Sequence, residues 1–356
     1  MDSDTSVPRG VDPPAVARIL AQQVGGLAGP LQATLVAGGR SNLTYVIEDG
    51  EREWVLRRPP LAHVLPTAHD MAREYRVISA LVATTIPVPR TVLFCEDTSV
   101  IGSPFYIMER VHGHIVRDRL PDEYPDTPRT RRLMSETLIA TLADLHEVVP
   151  DDVGLGDFGR PAGFLERQVR RWWQQWEASK TRELPAIEEL RRRLAAGLPD
   201  QGPPGIVHGD YRLDNAMLAP EDPARIVAIL DWEMCTVGDP LADLGLLLVY
   251  WADRDASEDV VTSMALSPIT LQEGFMSHAE LVDAYAQRTS RDLASLEWYV
   301  VLGFYKLAIV AEGIHARYLM GMTLGEGFEL MGPRVPALVD WALQRASASG
   351  LPGLAG

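Results

Sequence analysis

Hydrophobic periodicity changes once along this chain, near Gly113, and that change limits the fold more than any other feature. Before it, apolar residues come in short alternating runs. A short helix over Val16–Val24 leads in, then Leu31–Ala37 and Leu43–Glu48 flank the turn Gly38-Gly39-Arg40-Ser41-Asn42. Glu53–Arg57 is a third run, ended by Pro59-Pro60 because proline has no N–H to give a ladder. His69–Thr84 is helical, with Met71, Tyr75, Ile78 and Val82 at three- and four-residue steps. Thr91–Cys95 and Phe105–Glu109 read as two more strands.

After Gly113 the 3.6-residue period dominates. Helices are expected over Pro128–Val148, Gly163–Lys180, Leu184–Ala196, Pro240–Trp251, Ser277–Ser290, Ala294–Gly321 and Pro336–Ala348. Only Gly205–Asp231 interrupts them, where Gly205-Ile206-Val207 and Arg225–Leu230 flank a polar loop. The pattern predicts an α+β fold with a small β-rich lobe near residues 1–107 and a larger, mainly helical lobe near 108–356. A chain of 356 residues also exceeds what one hydrophobic core usually serves.

Composition removes several function classes. Net charge is −16 and no basic stripe is visible, so no nucleic-acid partner is expected. The two cysteines, Cys95 and Cys235, form neither a metal-ligand spacing nor a disulfide framework, which fits a reducing compartment. Met1-Asp2-Ser3-Asp4 lacks the basic start of a signal peptide. The longest uninterrupted apolar stretch, Leu244–Ala252, is nine residues, where a membrane span needs about 20. A cytoplasmic protein with no membrane partner is the expectation.

The densest chemistry lies in His208-Gly209-Asp210-Tyr211-Arg212-Leu213-Asp214-Asn215, followed sixteen residues after Asn215 by Asp231 at the end of an apolar run. Singly, Asp and Asn are ordinary loop residues. Together they place a carboxylate and an amide at the two ends of one loop, with a second carboxylate just past a strand. Phosphoryl transfer needs that set: a carboxylate beside the attacking hydroxyl and oxygen ligands for magnesium.

This spacing resembles the catalytic and metal-binding loops of protein kinases and, more closely, of the aminoglycoside phosphotransferase-like kinases. The resemblance implies a protein-kinase-like two-lobed fold with the active site in the cleft between lobes. It gives Asp210 the proton of the acceptor hydroxyl, Asn215 and Asp231 the magnesium, and Arg212 a place near the transferred phosphate. It also implies that Gly38, Gly39, Ser41 and Asn42 cover the phosphates of ATP, and that Met108, Glu109 and Val111 in the hinge Tyr106–Gly113 serve adenine. Glu74 would orient a strand cation on the phosphates. Asp239 and Asp243 match residues that brace the catalytic loop.

The lysine count bears on that cation. Lysine occurs only at Lys180 and Lys306, so the small lobe has none: either Arg57 or Arg58 takes the place, or that function is missing. Alternation sends these two to opposite faces without saying which face is which; the resemblance favours Arg57.

One branch of the family is most similar: the domains that accompany acyl-CoA dehydrogenases. The supporting segments are Gly39–Tyr45, Val55–Pro60, Arg73–Val77, Ile229–Met234, Tyr305–Ala308 and Gly313–Arg317, with Arg58 standing where a lysine is expected. This likeness implies transfer of phosphate from ATP to a small-molecule hydroxyl, on a hydroxyacyl-CoA or related metabolite, and a functional link to an acyl-CoA dehydrogenase. No dehydrogenase domain is expected within these 356 residues. The alternatives are an aminoglycoside or other antibiotic kinase, and an ATP-binding module without transfer. Leu165, Val169, Trp172 and Trp176, beside Arg167, Arg170 and Arg171, read either as a core stripe or as an aromatic-basic wall for an acyl substrate. His146 reads as a packed helix histidine.

Overall fold

The computed structural model describes residues 9–36, 42–61, 70–252, 268–322 and 327–356. They fall into two compact units, Met1–Gly113 with Val227–Cys235, and His114–Ile226 with Thr236–Gly356.

The first unit is built on an antiparallel sheet of β1 (Gln32–Leu35), β2 (Leu43–Glu48), β3 (Glu53–Arg58), β4 (Thr91–Cys95) and β5 (Phe105–Glu109) in the order β1-β2-β3-β5-β4. In β3 the pleat buries Trp54, Leu56 and Arg58, and leaves Glu53, Val55 and Arg57 on the opposite, partly open face. Helix α1 (Pro13–Val24) starts where Asp12 accepts the Ala15 N–H and prolines occupy the first turn. It lays Val16 and Leu20 on a core of Tyr45, Ile47, Trp54, Leu56, Leu93, Phe105 and Ile107. Helix α2 (Met71–Leu81) is capped by Asp70, whose side chain accepts the Arg73 N–H, and it buries Glu74 along with Val77, Ile78 and Leu81.

The second unit is mainly helical: α3 (Pro128–Glu147), α4 (Phe164–Ser179), α5 (Pro185–Ala196), α6 (Leu241–Tyr250), α7 (His278–Ala286), α8 (Leu296–Leu319) and α9 (Met331–Ala348). Its β elements are a pair of β7 (Gly205–Val207) with β10 (Thr236–Gly238), and a sheet of β6 (His114–Ile115), β8 (Ala216–Ala219) and β9 (Asp222–Ile229), whose last residues belong with the first unit. Helix α8 is long and apolar enough by composition to cross a membrane; here it is the central helix of this unit, packed by α9, α6 and α4. Contact with α6 is so close that a Cβ at Gly245 would stand 2.6 Å from the Tyr299 carbonyl oxygen.

One expectation changes and one open alternative is decided. Helix α9 begins at Met331, five residues before Pro336. Proline would ordinarily strand the carbonyl four residues earlier; here that carbonyl, Gly332 O, accepts from Arg182 Nη1 at 3.1 Å. The Trp172/Trp176 stripe of α4 is core and not a substrate wall, since Leu165, Val169, Trp172 and Trp176 are all buried.

Candidate active site

In the first unit the chemistry gathers around Arg57. Its Nη1 lies 2.8 Å from Glu74 Oε1 and its Nη2 lies 3.3 Å from Asp231 Oδ1. The fork of a guanidinium is what lets one residue hold two carboxylates from different elements. Glu74 is buried; burial pushes its carboxyl above the ordinary value, and Arg57 opposes that shift. Burial works against the Arg57 charge, but Glu74, Asp231 and Glu233 together raise its pKa. Asn42 donates to Glu74 Oε2 at 3.5 Å and to Glu233 Oε2 at 3.2 Å. Arg57 therefore stands among three carboxylates, those of Glu74, Asp231 and Glu233.

Arg58, by contrast, turns inward. Its Nη1 donates to Gly10 O at 2.5 Å and to Ile101 O at 2.9 Å, and its Nε donates to Pro59 O at 3.1 Å. Periodicity could not choose between the two arginines; the packed face of β3 does.

Asp231 follows β9 and opens a 3-10 turn, Trp232–Met234. Its backbone is left-handed, φ 66° and ψ 57°, the one non-glycine residue with positive φ among the described residues. Such a conformation costs an L residue about 1–2 kcal/mol, and strain of this kind concentrates at functional sites. The turn is tied down by Trp232 Nε1 on Ile229 O at 2.9 Å and by Arg73 on Cys235 O at 3.4 Å. In the segment Tyr106–Gly113, Met108 is buried, Glu109 is exposed and Val111 is half-buried; the Glu109 N–H is committed to Arg90 O at 2.8 Å. Gly38, Gly39, Arg40 and Ser41 lie outside the described residues.

In the second unit, β7 delivers the loop His208–Asn215. Asp243, near the start of α6, accepts the His208 N–H at 2.6 Å and the Gly209 N–H at 2.8 Å. Burial alone would raise this carboxyl, but the hydrogen bond and charge from His146, His208 and the Gly209 N–H outweigh it and hold it below the ordinary value. Asp239 accepts from Tyr299 Oη at 2.8 Å and caps the Leu241 N–H at 3.1 Å. His146 is packed: its Nδ1 lies 2.8 Å from Tyr285 Oη and its Nε2 3.4 Å from Asp243, and burial lowers its pKa. Tyr211, fully buried, donates to Leu138 O at 2.7 Å and anchors the loop to α3.

Asp210 sits in this frame with partners on three sides. Asn215 Nδ2 donates to its carboxylate at 3.0 Å and to its carbonyl at 2.8 Å. Arg212 Nε is 3.5 Å from the same carboxylate, its Nη1 is 3.5 Å from Asp214, and its guanidinium lies 4.8 Å over the Tyr250 ring. A carboxylate so held can accept a hydroxyl proton without rearranging. Sequence reasoning gave no role to Tyr250, which hydrogen-bonds Asp210, or to Lys306, which donates to Gly209 O. For Lys306 a signal existed: a lysine inside an apolar helix of a chain that otherwise uses arginine.

Asp231 and Asn215 offer hard oxygen donors, the chemistry magnesium takes; magnesium also needs only one or two protein carboxylates, its other ligands being water and phosphate. Among the described residues no cluster of three or more Asp, Glu, His or Cys is assembled as a metal site.

A family model described as the phosphotransferase enzyme family matches residues 32–299. Acyl-CoA dehydrogenase family member 11 of Homo sapiens is 34% identical over 91% of this chain, which spans 42% of that protein. The probable acyl-CoA dehydrogenase IBR3 of Arabidopsis thaliana is 31% identical over 86% of this chain and is matched over 39% of its own length. The chain thus spans about two fifths of the length of these relatives. A crystal structure from Ralstonia eutropha, named as a candidate aminoglycoside phosphotransferase, superposes with a TM-score of 0.79 at 31% identity, covering 95% of this chain and 98% of that one. A microcompartment-associated aminopropanol kinase shares the fold at a TM-score of 0.57 and 20% identity, over 94% and 99% of the two chains.

Proposed function

The chain belongs to the phosphotransferase enzyme family, and from that premise we propose that it transfers the γ-phosphoryl group of ATP to the hydroxyl of a hydroxyacyl-CoA. The observation that carries the reaction is the loop itself: Asp210, fixed by Asn215 and Arg212 on a backbone braced by Asp243. In the step, the acceptor hydroxyl gives its proton to the Asp210 carboxylate as its oxygen bonds to the γ-phosphorus. The bond to the bridging oxygen breaks, and ADP leaves. Holding the carboxylate ready before substrate arrives is where such sites gain rate, because phosphoryl transfer is mostly positioning and electrostatics.

Asn215 and Asp231 are the residues we assign to magnesium, which when bound neutralises charge on the phosphates. We assign Arg57, steadied by Glu74, to the nucleotide phosphates, together with Gly38, Gly39, Ser41 and Asn42, and we assign Met108, Glu109 and Val111 to adenine. The acyl-CoA assignment is supported by the names of the relatives in two kingdoms, each similar over more than four fifths of this chain. The likeness to the candidate aminoglycoside phosphotransferase favours a second reading, an antibiotic kinase.

The test is ADP release from Mg-ATP with 4-hydroxyacyl-CoA, with mass spectrometry for a product heavier by one phosphoryl group. Asp210→Asn should cut turnover by about 10²-fold or more while nucleotide binding persists. Rapid phosphorylation of kanamycin-type drugs, with none of any hydroxyacyl-CoA, selects the second reading. ATP bound but never turned over identifies a binding module.

A further inference from the structure

We propose that Lys306 is a positioning residue of the transfer site, clamping the Gly209 carbonyl so that Asp210 meets the acceptor hydroxyl in a fixed orientation. This inference rests on the role given to Asp210 above. Lys306 is one of two lysines in a chain with 33 basic residues. The other, Lys180, pairs at the end of α4 with Glu177 and Glu183, within a turn of it in sequence. Lys306 instead projects from the middle of α8, flanked by buried Tyr305 and Leu307. Its Nζ donates to Gly209 O and lies 5.4 Å from the centroid of the Trp172 ring.

The geometry at Gly209 gives that bond its meaning. Gly209 has φ +87°, a conformation an L side chain resists, and it turns successive peptide groups toward different helices. The N–H of Gly209 goes to Asp243 of α6; its carbonyl goes to Lys306 of α8. The next N–H, that of Asp210, donates to His208 Nδ1 at 3.2 Å. The peptide plane leading into Asp210 is therefore held at its oxygen and at its nitrogen, and the preceding plane at its nitrogen. Without Lys306 the oxygen end is released, and the carboxylate can pivot about Gly209.

Lysine suits the task better than arginine. A compact ammonium on a four-carbon stem can deliver one donor past an apolar layer, where a planar fork would leave several N–H groups unserved. The Trp172 face stabilises the cation along the way. Burial works against the charge of Lys306, while the carboxylates of Asp210 and Asp243 favour it and Arg171 and Arg212 oppose it. The site thus contains counter-charges for the ammonium on the loop it clamps.

The experiment uses Lys306→Met, which keeps the stem and removes the donor, and Lys306→Cys alkylated with 2-bromoethylamine, which restores an ammonium at nearly the original reach. Loss of orientation alone should lower kcat about 10–100-fold, with KM for ATP and for acceptor within about three-fold and the unfolding temperature near that of wild type. Alkylation of the Cys variant should recover most of the lost kcat, measured against wild type treated the same way because Cys95 and Cys235 are present and buried. A Met variant as fast as an active wild type overturns the inference alone. So does a loss confined to KM, or a Cys variant that alkylation leaves slow. A wild type with no turnover on any hydroxylated acceptor removes the reading of Asp210, and the inference with it.

Discussion

The adjacent arginines of β3 make the sharpest test of the strand reading. Consider Arg58→Met, which keeps the apolar stem and deletes the guanidinium. The side chain is 5% exposed and donates to three carbonyls, those of Gly10, Pro59 and Ile101. It thereby joins the segment before α1 and the turn before β5 to the middle of the sheet. A hydrogen bond from a charged donor contributes about 1.5–3 kcal/mol, but the three share one group and the freed carbonyls recover some water, so a net loss of about 2–4 kcal/mol is expected. For a unit of this size that lowers the unfolding temperature by roughly 6–16 °C. Scanning calorimetry reads it directly. Initial rates taken well below the transition should show the ATP KM within about two-fold of wild type. Arg57→Met should behave in the opposite way at the site, raising the ATP KM about ten-fold or more, because it removes the cation assigned to the phosphates. An unchanged unfolding temperature for Arg58→Met, with a large rise in its ATP KM, would refute the argument and put Arg58 on the nucleotide.

Other substitutions read other parts of the site. Asp231→Asn keeps a residue tolerant of φ 66° and should leave stability within about 1 kcal/mol, but weaken Mg-ATP binding about ten-fold or more by calorimetry; unchanged affinity removes Asp231 from the metal. Gly209→Ala forces a Cβ into φ +87° and should destabilise by about 1–2 kcal/mol, with turnover falling further as the Asp210 peptide shifts; a fully active Ala variant contradicts the clamp. His146 and Asp243 predict acid sensitivity. The buried His146 resists protonation, so below its ordinary value of 6.5 the unfolded chain takes up a proton that the folded one refuses, and stability falls by up to about 1.4 kcal/mol per pH unit. The lowered carboxyl of Asp243 contributes stability above its ordinary value of 3.8 that is lost as pH falls further. Urea unfolding of wild type and His146→Gln between pH 7.5 and 5.5 checks the first window, where only wild type should lose stability through this group.

What the sequence determined by itself was local. Short apolar runs bounded by turn residues placed β2, β4 and β5 at their observed limits. The 3.6-residue period likewise located the α-helices α3 to α9 among the described residues of the second unit, with ends displaced by a few residues where capping and not periodicity decides. The His208–Asn215 spacing was legible because one loop carries it. Tertiary structure decided what depends on residues far apart in the chain. Arg57 and not Arg58 faces Glu74 because packing selects which face of β3 is buried, and alternation states only that the faces differ. Pro336 lies inside a helix because Arg182, more than a hundred residues earlier, takes the carbonyl it strands. Trp172 and Trp176 are core because α8 packs against α4, and an amphipathic stripe cannot say whether a helix or a ligand will cover it. Asp231 adopts a left-handed backbone that aspartate tolerates but that no periodicity locates, held by a turn that ties back to Arg57 and Arg73. Lys306 reaches Gly209 across 97 positions of sequence. Contacts at such separations are set by the free energy of the whole core, and no window of residues contains it.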